Sequence, residues 1–98
     1  MSQWEFYVFV KDGKLMIRHP EAGRDPKEKN LSSIKAEDIQ STVEGVLNRF
    51  KKENRSQWTF LFYLLPDARN LIGEKKADQI ALNCKRAVKK HNDWALSH

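Results

Sequence analysis

The sequence predicts a single α+β domain over residues 1–98, in which a three-stranded sheet is covered on one face by two helices. Three observations predict it: an aromatic-rich apolar run at 57–66, a hairpin signal at Asp12-Gly13, and two stretches whose apolar residues recur at helical spacing. The 98 residues suit one domain with one core, and 40% hydrophobic with 32% charged residues is typical of a folded chain.

The run from Gln57 to Pro66 predicts the strand around which the rest of the chain is arranged. Because side chains of a strand alternate between its faces, this run is apolar on both sides, which is typical of an interior strand closed by Pro66. A buried helix segment is the alternative interpretation, but the run is shorter than most helices.

Two further strands are predicted near the N-terminus. The first runs from Gln3 to Val10 and is apolar on both faces. Asp12-Gly13 supplies the two positive-φ positions of a type I′ turn, so the chain should return as a second strand over Lys14 to Arg18. That segment alternates apolar and polar residues, as a partly exposed or edge strand does.

The segment at about 19–31 predicts a mobile loop. It has almost no apolar residues and contains Pro20, Gly23 and Pro26, a composition that buries too little surface to order itself. A loop of this length serves either as a binding arm or as a solvated insertion.

Two helices are predicted. The first begins after Ser32 or Ser33, either of which can cap it, and ends near Asn54. After a turn at 66–70, the second runs from about Gly73 to Leu96. Its apolar stripe includes Cys84, His91 and Trp94.

The element order ββαβα and a right-handed crossover place the third strand beside the first, which gives the sheet order 2-1-3. Helices on one face leave the other face with a set of large apolar side chains: Tyr7, Phe9, Met16, Leu61, Tyr63 and Leu65. Such a patch is rarely left exposed. Three alternatives could cover this patch. A second copy could pack against it back to back or join it at an edge, or the loop and the C-terminal residues could fold over it. Alternatively, unpaired bases could bind there, held by a rim of Lys11, Lys14 and Arg18.

A formal net charge of +5, from 18 Lys and Arg against 13 Asp and Glu, favours a nucleic-acid partner, DNA or RNA. The second helix should carry basic residues on its outer face, although Asp78 and Asp93 interrupt them. The predicted phosphate contacts are Lys75, Lys85, Arg86 and Lys89 on that helix, Lys51, Lys52 and Arg55 at the end of the first, and Lys14 and Arg18 at the sheet rim.

No catalytic or cofactor-binding constellation stands out, so the chain is not expected to be an enzyme. Pro66-Asp67 followed by Glu74-Lys75-Lys76 resembles a nuclease pattern, but the spacer is too short for the strand such a site needs. The single Cys84 supports neither an internal disulfide nor a zinc site.

The chain is expected to be intracellular and cytoplasmic. Its longest apolar run is far below the roughly 18 residues that span a bilayer, and its first residues lack the order of a signal peptide. The sequence therefore predicts a noncatalytic nucleic-acid-associated module that uses the basic helix face and the sheet rim. The alternative is a homodimeric protein-interaction or regulatory subunit that uses the aromatic sheet face.

Overall fold

A computed structural model describes residues 2–20 and 30–98. It contains a four-stranded mixed sheet with the strand order β3-β2-β1-β4. The strands are β1 (Ser2–Lys11), β2 (Lys14–His19), β3 (Asn30–Ser33) and β4 (Trp58–Leu64). The helices are a 3-10 turn (Ala36–Asp38), α1 (Ile39–Lys52), α2 (Pro66–Ile72) and α3 (Glu74–Leu96).

The hairpin between β1 and β2 confirms the turn that Asp12-Gly13 predicts. Asp12 and Gly13 have φ angles of 52° and 74°, the left-handed conformation that a type I′ turn requires at both positions. The turn sets the antiparallel register, in which Lys11 pairs with Lys14 and Tyr7 with Arg18.

β1 lies between β2 and β4, and β4 is the predicted third strand. β1 and β4 are parallel, with Phe6 opposite Phe62 and Tyr7 opposite Tyr63. Parallel neighbours need a crossover, and α1 provides it.

The predicted three-stranded sheet is wrong in its number of strands, because β3 pairs with the outer edge of β2. Ser32 and Ser33 belong to this strand and cap no helix, and helical structure begins only at Ala36. The strand is short and Leu31 is its one large apolar residue, so it carries no period-two hydrophobic pattern. Of the predicted loop at about 19–31, residues 21–29 lie outside the described residues.

The predicted turn at 66–70 is also wrong, since these residues form the helix α2. Pro66 occupies its first turn, where a missing amide hydrogen is tolerated. The chain breaks at Gly73 instead, whose φ of 99° is strained for any side chain with a Cβ. The helix that follows, α3, has the predicted extent.

The core lies between the sheet and the helices. Phe60 is fully buried at its centre and contacts Phe6, with ring centroids 5.4 Å apart, and Phe50, with centroids 5.0 Å apart. The other buried apolar members are Trp4, Val8, Ile17, Ile39, Val43, Leu47, Phe62, Ala68, Ala81, Cys84 and Val88.

β4 lies at the edge of the sheet, so its interpretation as an interior strand is wrong. Side chains of α3 cover its outer edge. The Phe60 amide donates to Oδ1 of Asn92 (2.9 Å), and Nδ2 of Asn92 donates to the Phe60 carbonyl (2.8 Å). Nε2 of His91 lies 3.4 Å from the Trp58 carbonyl oxygen. The outer edge of β4 is therefore protected although the strand is not central.

Candidate nucleic-acid interface

A groove runs between α1 and α3 on the side of the helices away from the sheet. The helices are joined at one end by a hydrogen bond from Nδ2 of Asn83 to Oε1 of Gln40 (3.0 Å). Beyond this bond, Leu47 of α1 and the small side chain of Ala87 of α3 leave space between the two helices. The space, which we call the helix groove, has a volume of about 480 Å³ and is lined by Gln40, Glu44, Leu47, Asn48, Lys51, Asn83, Arg86, Ala87, Lys90, His91 and Trp94.

Three cations from two helices line this groove. Lys51 comes from the last turn of α1, whereas Arg86 and Lys90 lie one turn apart on α3. All three are exposed, and none forms an ion pair with another residue of the described ranges. Glu44 is the one carboxylate among the described lining residues. The groove is therefore electropositive towards its Lys51 end.

Trp94 lines the same end of the groove and is half-buried. Nζ of Lys51 lies 5.8 Å from the centroid of its ring, within cation–π range. The His91 ring lies 5.4 Å from Trp94 and the His98 ring 5.0 Å from it, between centroids. An aromatic surface and three cations are thus presented together.

His91 forms part of the groove lining and is itself buried. Desolvation by burial lowers the pKa of His91; the hydrogen bond to the Trp58 carbonyl opposes this shift, and the positive charge of Lys51 adds to it. His91 is therefore neutral at pH 7, with Nε2–H donating to Trp58 and Nδ1 left as an acceptor.

The residues predicted to contact phosphates fall into separate groups. Lys51 and Arg86 share the helix groove, although they were expected to belong to two clusters. Two others face nearby carboxylates: Nζ of Lys89 is 3.0 Å from Oδ2 of Asp93, and Nε of Arg55 is 3.8 Å from Oε2 of Glu53. The remaining helix residues, Lys52, Lys75 and Lys85, are exposed elsewhere on the helices.

Sequence reasoning missed Lys90 and assigned Trp94 to the core stripe. Arg86, Lys90 and Trp94 are spaced by four residues each, so they lie along one face of α3, and this spacing is a signal that was present in the sequence. The other wall of the groove was not deducible, because it depends on which face of α1 lies beside α3.

The opposite surface of the molecule is the sheet face, which holds Tyr7, Phe9, Met16, Leu61, Tyr63 and Leu65. The rings of Tyr7 and Tyr63 are stacked, with centroids 5.1 Å apart and planes 16° apart. The Arg18 guanidinium lies 4.8 Å from the Tyr7 ring centroid. Lys14 is exposed at the end of β2 beside the hairpin turn. Within the described residues, the helices contribute their buried side chains to the other face of the sheet.

Three side chains with potentially reactive groups, Asp67, Cys84 and His19, make contacts within the fold. Asp67 accepts hydrogen bonds from the amides of Val10 (3.2 Å) and Ala68 (2.7 Å), which ties α2 to β1. Burial, aided by the charge of Glu44, raises the pKa of the Cys84 thiol to about 12, so it is protonated and unreactive at pH 7. The His19 ring is buried, with Nδ1 2.9 Å from the Pro20 carbonyl oxygen.

No protein-family model, curated protein or solved structure matches the chain. Within residues 2–20 and 30–98, no cluster of His, Cys, Asp and Glu side chains could hold a metal ion. In the same part of the chain, no helix is long and apolar enough to cross a membrane. The helix groove and the sheet face are therefore the two candidate binding surfaces of the described residues.

Proposed function

We propose that this protein is a noncatalytic nucleic-acid-binding module whose contact surface is the helix groove. One observation carries the proposal: Lys51, Arg86 and Lys90 converge from two helices on one concave surface beside an exposed part of Trp94. Cations without carboxylate partners are free to neutralise phosphates, whereas an ion-paired residue such as Lys89 must first give up its partner.

The expected binding is sequence-independent in its main part. Phosphate contacts by Lys and Arg supply affinity by releasing counterions, and they carry no information about base sequence. The net charge of +5 adds a long-range attraction that accelerates encounter with a polyanion. We propose no reaction in the groove, where Nε2 of the His91 imidazole contacts the Trp58 carbonyl of β4.

The test compares two triple variants with the same loss of charge. The first replaces the groove cations (Lys51→Gln, Arg86→Gln, Lys90→Gln), and the matched control replaces three exposed lysines outside the groove (Lys75→Gln, Lys76→Gln, Lys85→Gln). Three lost phosphate contacts should reduce the slope of log K against log salt by about 2 on single strands, and affinity near 50 mM salt by on the order of a hundredfold. Fluorescence anisotropy with labelled DNA and RNA across a salt series measures both.

The control variant should keep most of the affinity and nearly the wild-type slope. If both triple variants lost affinity equally, the binding would depend on net charge alone and the helix groove would not be the site. If the wild-type protein bound neither DNA nor RNA at low salt, the proposed function would be wrong.

The sheet face favours a second candidate function, a homodimer packed back to back. Tyr63 is 40% and Leu31 46% exposed, and both belong to the row of the sheet that contains the Tyr7–Tyr63 stack. Phe9, Met16, Leu61 and Leu65 extend this apolar area and are only half-buried. The outer edge of β4 is bonded to α3, so the face of the sheet is better suited than that edge to a second copy.

Light scattering after size exclusion tests this candidate. The double variant Tyr63→Lys, Leu31→Lys should convert a dimer to a monomer, because it places charges in a desolvated apolar contact. The matched control Leu71→Lys, Leu82→Lys adds the same charge at exposed apolar positions on α2 and α3 and should remain dimeric. A monomeric wild-type protein at high concentration would exclude this candidate.

A further inference from the structure

The shape of the helix groove restricts what can enter it. Helices packed side by side have axes about 8–10 Å apart, so the space between them is narrow. A volume of about 480 Å³ falls within the range of sites that enclose small molecules. A nucleic-acid duplex keeps its bases stacked inside and presents only phosphates to such a surface. A single strand can turn one base into it.

The groove lining also offers more than positive charge. Trp94 presents an aromatic ring, on which a base can stack. Asn48 is exposed, and its amide forms no hydrogen bond with another described residue, so it is free to donate and accept at a base edge. A base that stacks on this face takes the place of Lys51, whose Nζ lies 5.8 Å from the ring centroid and can then contact the phosphate of the same nucleotide.

At the other end of the groove, the polar side chains are already paired with one another. Gln40 donates to Oε1 of Glu44 (3.0 Å) and accepts from Asn83, whose Oδ1 in turn accepts from Gln79 (3.3 Å). These amides satisfy one another, and Glu44 repels phosphates. The occupant is therefore confined to the part of the groove that contains Lys51, Lys90 and Trp94, with Arg86 one turn further along α3.

From this arrangement, and resting on the proposed function, we infer that the helix groove binds an unpaired nucleotide of a single strand. The base stacks on Trp94, and the flanking phosphates lie against the three cations. Discrimination between single and double strands thus comes from Trp94, and general affinity for polyanions comes from the charges.

The test measures binding of oligo(dT) and oligo(U) of about twelve nucleotides, a duplex of the same length and heparin, which has charge but no bases. Wild-type protein is compared with Trp94→Leu and with the matched control Trp94→Phe, which keeps an aromatic ring. Trp94→Leu should weaken single-strand binding by about tenfold and leave duplex and heparin binding unchanged. Trp94→Phe should restore most of the loss.

A second readout is tryptophan fluorescence, measured on variants that keep an aromatic ring at position 94. Trp4 and Trp58 contact each other within the fold, with ring centroids 4.8 Å apart, whereas Trp94 lines the groove. Single strands should quench tryptophan fluorescence of the wild-type protein, and the quenching should be smaller in Trp94→Phe.

Three results would overturn the inference in distinguishable ways. Duplex and heparin could bind as tightly as single strands, with no effect of Trp94→Leu. That result would be consistent with a cationic binding groove and would contradict the binding of an unpaired nucleotide. If Trp94→Leu weakened all four ligands equally, Trp94 would serve only to position Lys51. Failure of every ligand to bind at low salt would remove the proposed function along with the inference.

Discussion

His91 is the residue that joins the core, the sheet edge and the candidate site. Its ring packs edge-on against Phe60, with centroids 5.1 Å apart, and on its other side lies near Trp94. Its Nε2 reaches the Trp58 carbonyl at the edge of β4. Protonation of His91 is therefore expected to change both the stability of the fold and the charge of the groove lining.

The lowered pKa of His91 predicts that the protein loses stability as the pH falls below about 6.5, the ordinary value for histidine. In that range the unfolded chain binds a proton that the folded state resists, so protonation favours unfolding. Above it both states are neutral and the stability is complete. Urea denaturation at about pH 7.5 and about pH 5.5 should show a lower midpoint at the lower pH.

The variant His91→Phe should reduce this pH dependence, because it removes the titrating group while keeping an aromatic ring. Asn92→Ala is a useful control, since it removes hydrogen bonds from the same helix turn and retains the imidazole. It should be less stable at both pH values and keep the wild-type dependence. An unchanged dependence in His91→Phe would show that other groups are responsible.

At the level of single elements, the β4 edge explains how an aromatic strand can end a sheet. An unprotected edge offers unpaired amides and carbonyls to other chains. The side-chain amide of Asn92 pairs with both backbone groups of Phe60, as a neighbouring strand would. The sequence pattern of β4 shows that both of its faces are apolar, and it contains no information about this edge.

Replacement of Asn92 by Ala should lower the free energy of unfolding by about 1–3 kcal/mol, because two backbone groups next to the core lose their partners. Asn92→Asp keeps the oxygen that accepts from the Phe60 amide but places a carboxylate against the Phe60 carbonyl, so it should also destabilise the protein. The control Asn48→Ala, at an exposed position in the groove, should change stability by less than about 0.5 kcal/mol. Equal effects at both positions in urea denaturation would contradict this role of Asn92.

The elements that sequence patterns predict are those with strong local signals. Asp12-Gly13 fixes the hairpin, and Asn54, with a φ of 55°, ends α1 as expected. β3 was not predicted because Ser32 and Ser33 are equally suited to capping a helix. They form a strand because they pair with β2. The helix α2 was predicted as a turn because Pro and Asn, as at positions 66 and 70, are common in turns.

For the whole molecule, the sequence predicts charge and apolar stripes of each helix but not how neighbouring helices combine them. Lys51 and Arg86 were foreseen as members of separate clusters, and their common groove depends on how α1 packs beside α3. The sheet face is foreseen more fully, since strand alternation and the parallel register of β1 and β4 place Tyr7 beside Tyr63. Function thus has two candidate surfaces on opposite sides of one small domain.

The central claim is that the helix groove, and not the sheet face, contacts nucleic acid. The most direct measurement is a titration of ¹⁵N-labelled protein with oligo(dT), followed by two-dimensional ¹H–¹⁵N NMR. We predict that the Trp94 indole signal and the backbone amides of residues 47–51 and 86–94 shift, while the Trp4 and Trp58 indoles and β2 do not. Shifts confined to β1, β2 and β4 around Tyr7, Arg18 and Tyr63 would contradict the account and place binding on the sheet face.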